Sequence, residues 1–502
     1  MITPPTPVAA AALSTRRRWA ALAVLAAAVL LLAVDGTVLS LAVPALTASL
    51  APTAEQVLWI GDIYSLTLAG LLVLMGNLAD RFGRKRVLLT GSVAFGAASL
   101  LAAFAPSAPA LIGARLLLGV AGATLMPSTL SLIRNIFPDS GERTRAIAIW
   151  STAFGAGSAI GPLVGGFLLE HFWWGSVFLI NVPVMVLVVV SGLLLLPESR
   201  DPRPGRFDVL SAVLSMTAVV PLVYAVKHVV GAGLDGVTVA CLLAGLVAGV
   251  LFVRRQRRLE QPMLDVELFG NPAFVGAVVA NVIAIFALVG MLFFFSQYLQ
   301  FARGFSPLQA GLAELPATLA SIVVVVIIAL VVARFGRGRA IALGLGLAAA
   351  GLGAVAAAAH APYLWLGLAL VPIGLGIGLA MTLTGDAILS AAPPRKAGSV
   401  SAITETANEL GVVLGIAVLG SLLSLVYRHA VSVPDGLPAG DAARVRDSLG
   451  SALQVLPPQS TAGARDAFIT GVQVSSSVAA VLTLGAAVLA WALIPSPRPP
   501  RP

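Results

Sequence analysis

The stretch GNLADRFGRKRVL, residues 76–88, separates two long apolar runs and concentrates unusual residue types in a few positions. Gly76 permits close approach of a neighbouring helix, and Gly83 can turn the chain because it lacks a Cβ atom. Asp80 can pair with a nearby arginine or cap the following helix. A simple topogenic loop would explain the basic residues but not the two glycines with the acid. The basic residues that would hold this loop in the cytoplasm are Arg81, Arg84, Lys85 and Arg86.

The rest of the chain is too apolar to cover a water-facing surface. Of its 502 residues, 58% are hydrophobic and only 11% are charged, whereas about a quarter of an ordinary soluble chain is charged. The solvent of most of the chain must therefore be lipid. The net charge of +9 would suggest nucleic acid as the partner of a soluble protein. Here the position of the charges matters more than their sum, and no nucleic-acid partner is expected.

Several kinds of site lack support in the sequence. The single cysteine, Cys241, excludes an internal disulfide and a cysteine-cluster metal site. The four histidines have no metal-ligand spacing, and no phosphate-binding glycine pattern occurs. We therefore expect no metal, no cofactor and no use of ATP. A membrane enzyme and a non-transporting sensor are the less favoured function classes for such a membrane protein. The sequence contains neither a nucleophile motif nor a soluble catalytic domain.

Runs of about 20 apolar residues can cross a bilayer as helices. Such runs predict an all-α integral membrane protein with fourteen spans, and the LLEHFWW segment is the least distinct break between two of them. The first run is much longer than the core of a signal peptide, about 7–15 residues, and is interpreted as a retained span. The predicted spans are 19–44, 57–79, 87–106, 109–133, 145–169, 174–197, 209–230, 236–253, 273–300, 307–333, 340–360, 362–390, 399–427 and 470–493.

The basic residues give the spans a direction. Most of the 31 Arg and Lys lie in alternate loops, which the positive-inside rule places in the cytoplasm together with both termini. The opposite loops are poor in basic residues, and Lys227 is counted among these few. The longest loop, 428–469, is predicted to lie outside. Its Gly, Pro and Ala content indicates a loosely ordered hairpin of unknown function.

A short internal repeat indicates two related halves. RFGRKR at 81–86 recurs as RFGRGR at 334–339, each time after a span that runs from outside to inside. Transporter halves are often parallel repeats related by an axis along the membrane normal. The repeat predicts one six-helix bundle in 1–200 and a second in 261–502, with two inserted helices in 201–260.

Three motifs resemble those of one family, the major facilitator superfamily. The stretch 76–88 resembles its cytoplasmic loop signature, and RLLLGVAGA at 115–123 resembles its fourth-helix motif, although Leu118 stands where glutamine is common. GSAIGPLVGG at 157–166 resembles the signature of its antiporters. A generic small-residue packing face is the alternative for this last motif. The residues that carry it are Gly157, Gly161, Pro162 and Gly165.

Longer segments narrow the resemblance to one branch of the superfamily. VDGTVLSLAVPAL, LWIGDIYSL and SAITETANELGVVLGIAVLGS resemble the fourteen-span drug:proton antiporters, above all exporters of quaternary ammonium compounds and dyes. The resemblance implies proton-driven export of small lipophilic cations across a bacterial cytoplasmic membrane, by a monomer in the lipid bilayer. Export of a self-made antibiotic or of a lipid is the alternative. Some members carry a further acid in helix ten, whereas the core of that helix here, 315–332, has none.

Acidic residues within the spans are the candidate coupling groups, because a carboxylate deep in a bilayer costs roughly 2.5–3.5 kcal/mol on insertion scales. Glu405 and Glu409 are four residues apart and share a helix face, so one of the two should hold a proton. A lipophilic cation could be held by the same carboxylates together with aromatic faces. The candidates for proton coupling and substrate binding are Asp35, Asp62, Glu405, Glu409 and the intramembrane Arg115.

Each candidate also has a structural interpretation. Asp35 could be a structural acid bonded to Thr37 or a neighbouring helix, Asp62 could lie at the outer interface, and Arg115 could extend to that interface. Acids near helix ends, Asp386 and Glu314, are expected to be solvated. Further residues could line a substrate cavity, and their polar members could instead bond across helices: Trp59, Tyr64, Asn281, Phe294, Gln297 and Asn408.

Overall fold

The computed structural model describes residues 14–200, 208–259, 262, 264–390 and 397–496, and these are almost entirely helical. Fourteen of the described helices are long and apolar enough to cross a bilayer, which confirms the predicted number. They are α1 (Thr15–Leu50), α2 (Ala54–Phe82), α3 (Arg84–Ala103), α4 (Ala108–Ile136), α5 (Ser140–His171), α6 (Ser176–Leu195), α7 (Val209–Ala232), α8 (Gly236–Gln256), α9 (Pro272–Ala302), α10 (Pro307–Ala313 and Leu315–Phe335), α11 (Arg337–Ala357), α12 (Tyr363–Ser390), α13 (Ala397–Leu414, continued to Ala430) and α14 (Ala462–Leu493).

Local sequence explains where several helices begin, end or change geometry. Thr53 and Gln56 form a reciprocal capping box at the start of α2. The chain breaks between α5 and α6 within the LLEHFWW segment, as predicted. The helix α14 begins before its predicted start at 470, because charged Arg465 and Asp466 interrupt the apolar pattern but not the helix. The helices α9 and α13 each contain five residues of π-helix, Tyr298–Ala302 and Gly415–Leu419.

Buried apolar side chains form a core in each half and a third cluster that joins the halves. The first core belongs to α1–α6 and includes Phe95. The second belongs mainly to α9–α14 and includes Phe274. The joining cluster brings Leu41 of α1 and Leu58 of α2 against Phe286 of α9. The predicted domain limits, at 200–201 and 260–261, fall at or beside residues outside the described ranges, so these limits stay a prediction.

The two repeated basic loops have the same backbone design. Gly83 and Gly336 both have positive φ, 115° and 77°, where a side chain would be strained. The Arg84 amide donates to the Ser199 carbonyl at 2.9 Å, and the Arg339 amide donates to Ser496 Oγ at 3.0 Å. Each loop therefore contacts the chain just beyond the end of a later helix, α6 for the first loop and α14 for the second.

The small residues of α5 bring this helix against α1. A Cβ atom added to Gly157 would meet the Leu30 carbonyl, and one added to Gly161 would meet the Thr37 hydroxyl. Gly165 faces Val38 in the same way. Only glycine allows so close a helix contact, so the antiporter-like motif is at least a packing face of α1 and α5.

The predicted loosely ordered hairpin in 428–469 is wrong. The segment contains two short helices, Ala439–Asp447 and Leu449–Val455. Asp447 accepts a hydrogen bond from the Ala54 amide at 2.9 Å, so the segment is seated on the start of α2. Composition misled here because the few apolar residues of the segment are placed on one side and buried. These residues include Val445, Leu449 and Ala452.

Reporter fusions can test the direction of the helices. Because alternate loops hold most of the basic residues, fusions after Ser199 and Ala397 should report the cytoplasm, and a fusion near Gly450 should report the outside. Paired reporters that are active only on one side of the membrane would measure this. A cytoplasmic result at Gly450 would contradict the fourteen-span arrangement.

Candidate functional site

Asp35 lies in a closed polar network formed by four helices of the first half. Its side chain is buried, and Asn181 of α6 donates to Oδ1 at 2.7 Å. Asn181 also donates to Ser99 of α3 at 3.1 Å. The other oxygen, Oδ2, is 3.5 Å from Arg115 Nη1 of α4. Thr37 instead donates to carbonyls of its own helix, so it does not hold Asp35.

Arg115 does not extend to the interface, because its side chain is only 2% exposed. Its Nε donates to the Ile60 carbonyl of α2 at 3.1 Å. Its guanidinium lies 4.9 Å from the centre of the Tyr64 ring. The Asp35 Oδ2 atom has no hydrogen-bond partner within the described part of the chain. This oxygen therefore faces Arg115 through the ion pair at 3.5 Å and not through a hydrogen bond.

Asp62 forms a second buried pair, with a residue that sequence reasoning misplaced. Both side chains, Asp62 and Lys227, are fully buried, and the lysine Nζ is 2.7 Å from the carboxylate. The Nζ atom also lies 3.6 Å from the centre of the Trp59 ring. Asp62 is thus enclosed by protein, and the place of Lys227 among loop residues is wrong, because it lies within α7. A lysine five residues before the end of a span resembles a loop residue in sequence, but α7 packs this one against α2.

The acids of α13 face the first half and the neighbouring helices. Glu409 is partly buried, and its Oε2 has no hydrogen-bond partner among the described residues. Ser65 of α2 lies against this carboxyl group. Tyr64 lies close enough to both Asp35 and Glu409 to interact electrostatically with each. Carboxylates of both halves, Asp35 and Glu409, thus lie within electrostatic range of one tyrosine.

Glu405 belongs to a chain of hydrogen bonds across the second half. Asn408 approaches its carboxylate at 3.5 Å. Asn281 of α9 donates to Asn408 at 2.6 Å, and Thr384 of α12 donates to Asn281 at 3.0 Å. The two asparagines thus form hydrogen bonds between helices. Of the two roles considered for them, cavity lining and bonding across helices, this is the structural one.

The residues predicted to line a substrate cavity do not all line the same cavity. Phe294 and Gln297 line a cavity beneath the segment 447–450, together with Thr47 and Leu58; its empty space, including the open space at its mouth, is about 470 Å³. None of the candidate acids of α1, α2 or α13 lines this cavity. Of the other predicted lining residues, Trp59 lies against Lys227 and Tyr64 against Arg115. In this conformation Asp35 and Asp62 are enclosed by protein, and Glu405 and Glu409 are partly buried.

One acid near a helix end is buried, contrary to expectation. Glu314 is 2% exposed, and its Oε1 has no hydrogen-bond partner among the residues described. It lies at the break of α10, where Gly311 packs on the Pro162 carbonyl of α5. Helix ten therefore does carry a buried acid, immediately before its apolar core, 315–332. Asp386, by contrast, is 63% exposed and pairs with Arg337 at 3.0 Å.

The loop 76–88 holds helix ends together, away from the acids. Asp80 pairs with Arg84 across the turn, at 2.8 Å. Gly76 faces Pro127 of α4, and the Lys85 amide donates to Glu198 beyond the end of α6 at 3.2 Å. Asp80 lies 18 residues after Asp62 in one helix, about 27 Å along its axis. The loop thus links four helices without contact with the central acids.

Asp80→Asn should therefore slow turnover by about tenfold or more while it changes substrate affinity by about twofold or less. The change removes the charge that pairs with Arg84, at a joint between helices that must move relative to each other. Transport rates and dye-binding titrations on the same purified protein would separate the two effects. Equal losses of rate and affinity would contradict this role.

Fourteen spans with buried ionisable groups among them are typical of one class of protein, the secondary transporters. The chain belongs to the Major Facilitator Superfamily, whose family model matches residues 24–416. The predictions of family and fold are therefore confirmed.

Curated relatives and solved structures agree with this class. The chain is 47% identical to the multidrug efflux pump LfrA of Mycolicibacterium smegmatis, over 94% of this chain and 95% of the relative. It is 37% identical to the methyl viologen resistance protein SmvA of Salmonella typhimurium, over 95% and 98% of the two chains. The fold resembles that of a bacterial homologue of the human lysosomal transporter Spinster, with a TM-score of 0.68 at 17% identity, over 96% and 97% of the chains. The family and these relatives are transporters, not enzymes.

Proposed function

We propose that this protein is a proton-coupled antiporter that exports lipophilic cationic drugs, dyes and quaternary ammonium compounds across the bacterial cytoplasmic membrane. Both termini then lie in the cytoplasm, and a monomer surrounded by lipid is the working unit. Similarity to a multidrug efflux pump and to a methyl viologen resistance protein over nearly the whole chain supports drug export. Methyl viologen is a quaternary pyridinium dication, so the second relative favours cations as the substrate class.

One observation carries the coupling part of the proposal. Asp35 and Glu409 come from different halves, both interact electrostatically with Tyr64, and each has one carboxylate oxygen without a hydrogen-bond partner in the described ranges. Such an oxygen can hold a proton or face a cation. When the halves move apart and close on the other side, both groups change their surroundings together. A proton and a cation that compete for one carboxylate are then exchanged in alternation.

Arg115 has a defined part in this scheme. It is the charge that faces Asp35 when neither proton nor substrate is bound, and carbonyls of α2 hold it in place. Protonation of Asp35 removes the attraction between the two side chains. Since Arg115 also binds α2, the protonation state of α1 can change the position of α2, which carries Tyr64 and Asp62.

Transport into inside-out membrane vesicles would test the function. With an acidic lumen, vesicles that contain the protein should accumulate ethidium, because protons leave the lumen as the dye enters. A protonophore should abolish the accumulation, and vesicles without the protein should show none. An anionic dye of similar size serves as the control for charge. Ethidium accumulation that ignores the gradient would overturn proton coupling, and the absence of any accumulation would overturn export of this cation class.

A further inference from the structure

The inserted helix α7 places a lysine where a foreign cation would be expected. Lys227 Nζ is 2.7 Å from both oxygens of Asp62 and 3.6 Å from the centre of the Trp59 ring. A carboxylate beside the face of an indole ring is a favourable site for an organic cation. A site of this kind is thus already formed, and the ammonium group of Lys227 occupies it.

A purely structural brace explains this arrangement poorly. Buried ion pairs often stabilise a protein no more than apolar residues of the same volume. The surrounding residues already hold α7 on α2 and α13 through an apolar cluster of Leu66, Val223, Val413 and Ala417. Contact between the helices therefore does not require a charge. A lysine, moreover, has a flexible four-carbon stem and can withdraw its ammonium group.

A row of aromatic rings leads from this pair to the end of α7. The Trp59 and Tyr224 rings are 6.4 Å apart, and Tyr224 is stacked on His228 at 5.3 Å. His228 is 3.0 Å from Asp235, whose side chain is 38% exposed between α7 and α8. Hydrogen bonds from Thr238 and His228 hold the pKa of Asp235 at about 2. Aromatic faces thus continue from the buried pair to a partly exposed carboxylate, Asp235.

An apolar cavity, with about 490 Å³ of empty space including the open space at its mouth, begins one helical turn from Asp62. It lies between α2, α7, α8 and α13 and is lined by Leu66, Gly70, Met216 and Phe252, among others. A lipophilic cation has both a charged group and an apolar body. Asp62 with Trp59 could hold the charged group, and this cavity could hold the apolar body.

We propose that Asp62 and Trp59 form a subsite for the charged group of a monovalent organic cation, and that Lys227 occupies this subsite when the substrate is absent. The inference rests on the proposed function and extends it, because it gives the inserted helix α7 a part in substrate selection. A neutral compound cannot displace Lys227 from Asp62, since it brings no charge to replace that of the ammonium group.

Binding of ethidium to the full-length protein in lipid nanodiscs would test the proposal. Lys227→Met removes the tethered cation and should tighten ethidium binding by about tenfold or more. Lys227→Arg keeps the charge and should bind ethidium like the unaltered protein. The double variant Lys227→Met with Asp62→Asn should lose the gain. Nile red, a neutral lipophilic dye, is the control, and its affinity should be the same in all four proteins.

Other results of the binding experiment would contradict the proposed subsite. Unchanged ethidium affinity in Lys227→Met, or an equal gain for Nile red, would overturn the subsite. Lys227→Gln guards against poor folding of the methionine variant. If both neutral variants fail to fold while Lys227→Arg folds, the lysine is structural and the proposal is wrong. The proposed function fails separately, when the unaltered protein neither binds ethidium nor accumulates it in vesicles.

Discussion

Replacement of Asp35 by asparagine should reduce proton-driven efflux of ethidium by about a hundredfold or more, while the protein still inserts and folds. Asparagine keeps the shape of the side chain and can still accept the hydrogen bond from Asn181. It cannot take up a proton, and it leaves Arg115 without its buried counter-charge. Transport into inside-out vesicles and a dye-binding titration would measure the loss, and binding should fall together with transport.

A second variant separates coupling from structure. Loss of one partner of a buried ion pair typically costs about 3–5 kcal/mol, because the other charge remains buried and unpaired. In Asp35→Asn with Arg115→Gln, both charges are removed and this cost disappears. If Asp35 carries the proton, the double variant should fold better than the single one but still fail to transport. Recovery of proton-driven efflux would show that the carboxylate of Asp35 is structural.

Glu409→Gln should abolish most of the response to a proton gradient, by about thirtyfold or more, and leave ethidium binding within about threefold. Its Oε2 atom has no hydrogen-bond partner in the described part of the chain, so the amide breaks no existing bond there. Glu405 remains one turn away to supply negative charge for the cation. Vesicle uptake with and without a gradient, compared with dye binding, would show the difference.

Glu405→Gln is the matched control for this change, because it removes the same charge from the same helix face. Glu405 is approached by Asn408, which belongs to the hydrogen bonds that join α9, α12 and α13. We expect this variant to retain a larger part of the gradient response than Glu409→Gln. Equal losses in the two variants would show that the pair acts as one group, and normal coupling in Glu409→Gln would exclude it as a proton site.

Features that depend on local composition could be read from the sequence. Fourteen spans follow from apolar runs, because a bilayer requires a helix of about 20 apolar residues wherever the chain crosses it. Gly83 in its basic loop predicted a turn, and its counterpart Gly336 also has a positive φ. Asp35 and Glu409 stood out because acids in apolar runs are rare. Their residue types alone made them candidates.

Partners that come from distant parts of the chain were decided only by the tertiary structure. Lys227 lies 165 residues from Asp62, and no local pattern connects them. Glu314 looked like a solvated residue at a helix end until the packing of α10 buried it. The segment 428–469 looked unstructured, because its apolar residues are too few to indicate a helix without the surface on which they lie. The sequence by itself determined which segments lie in lipid, since each segment meets the bilayer through its own composition. The tertiary structure decided which charges meet, since that depends on how helices far apart in sequence pack together.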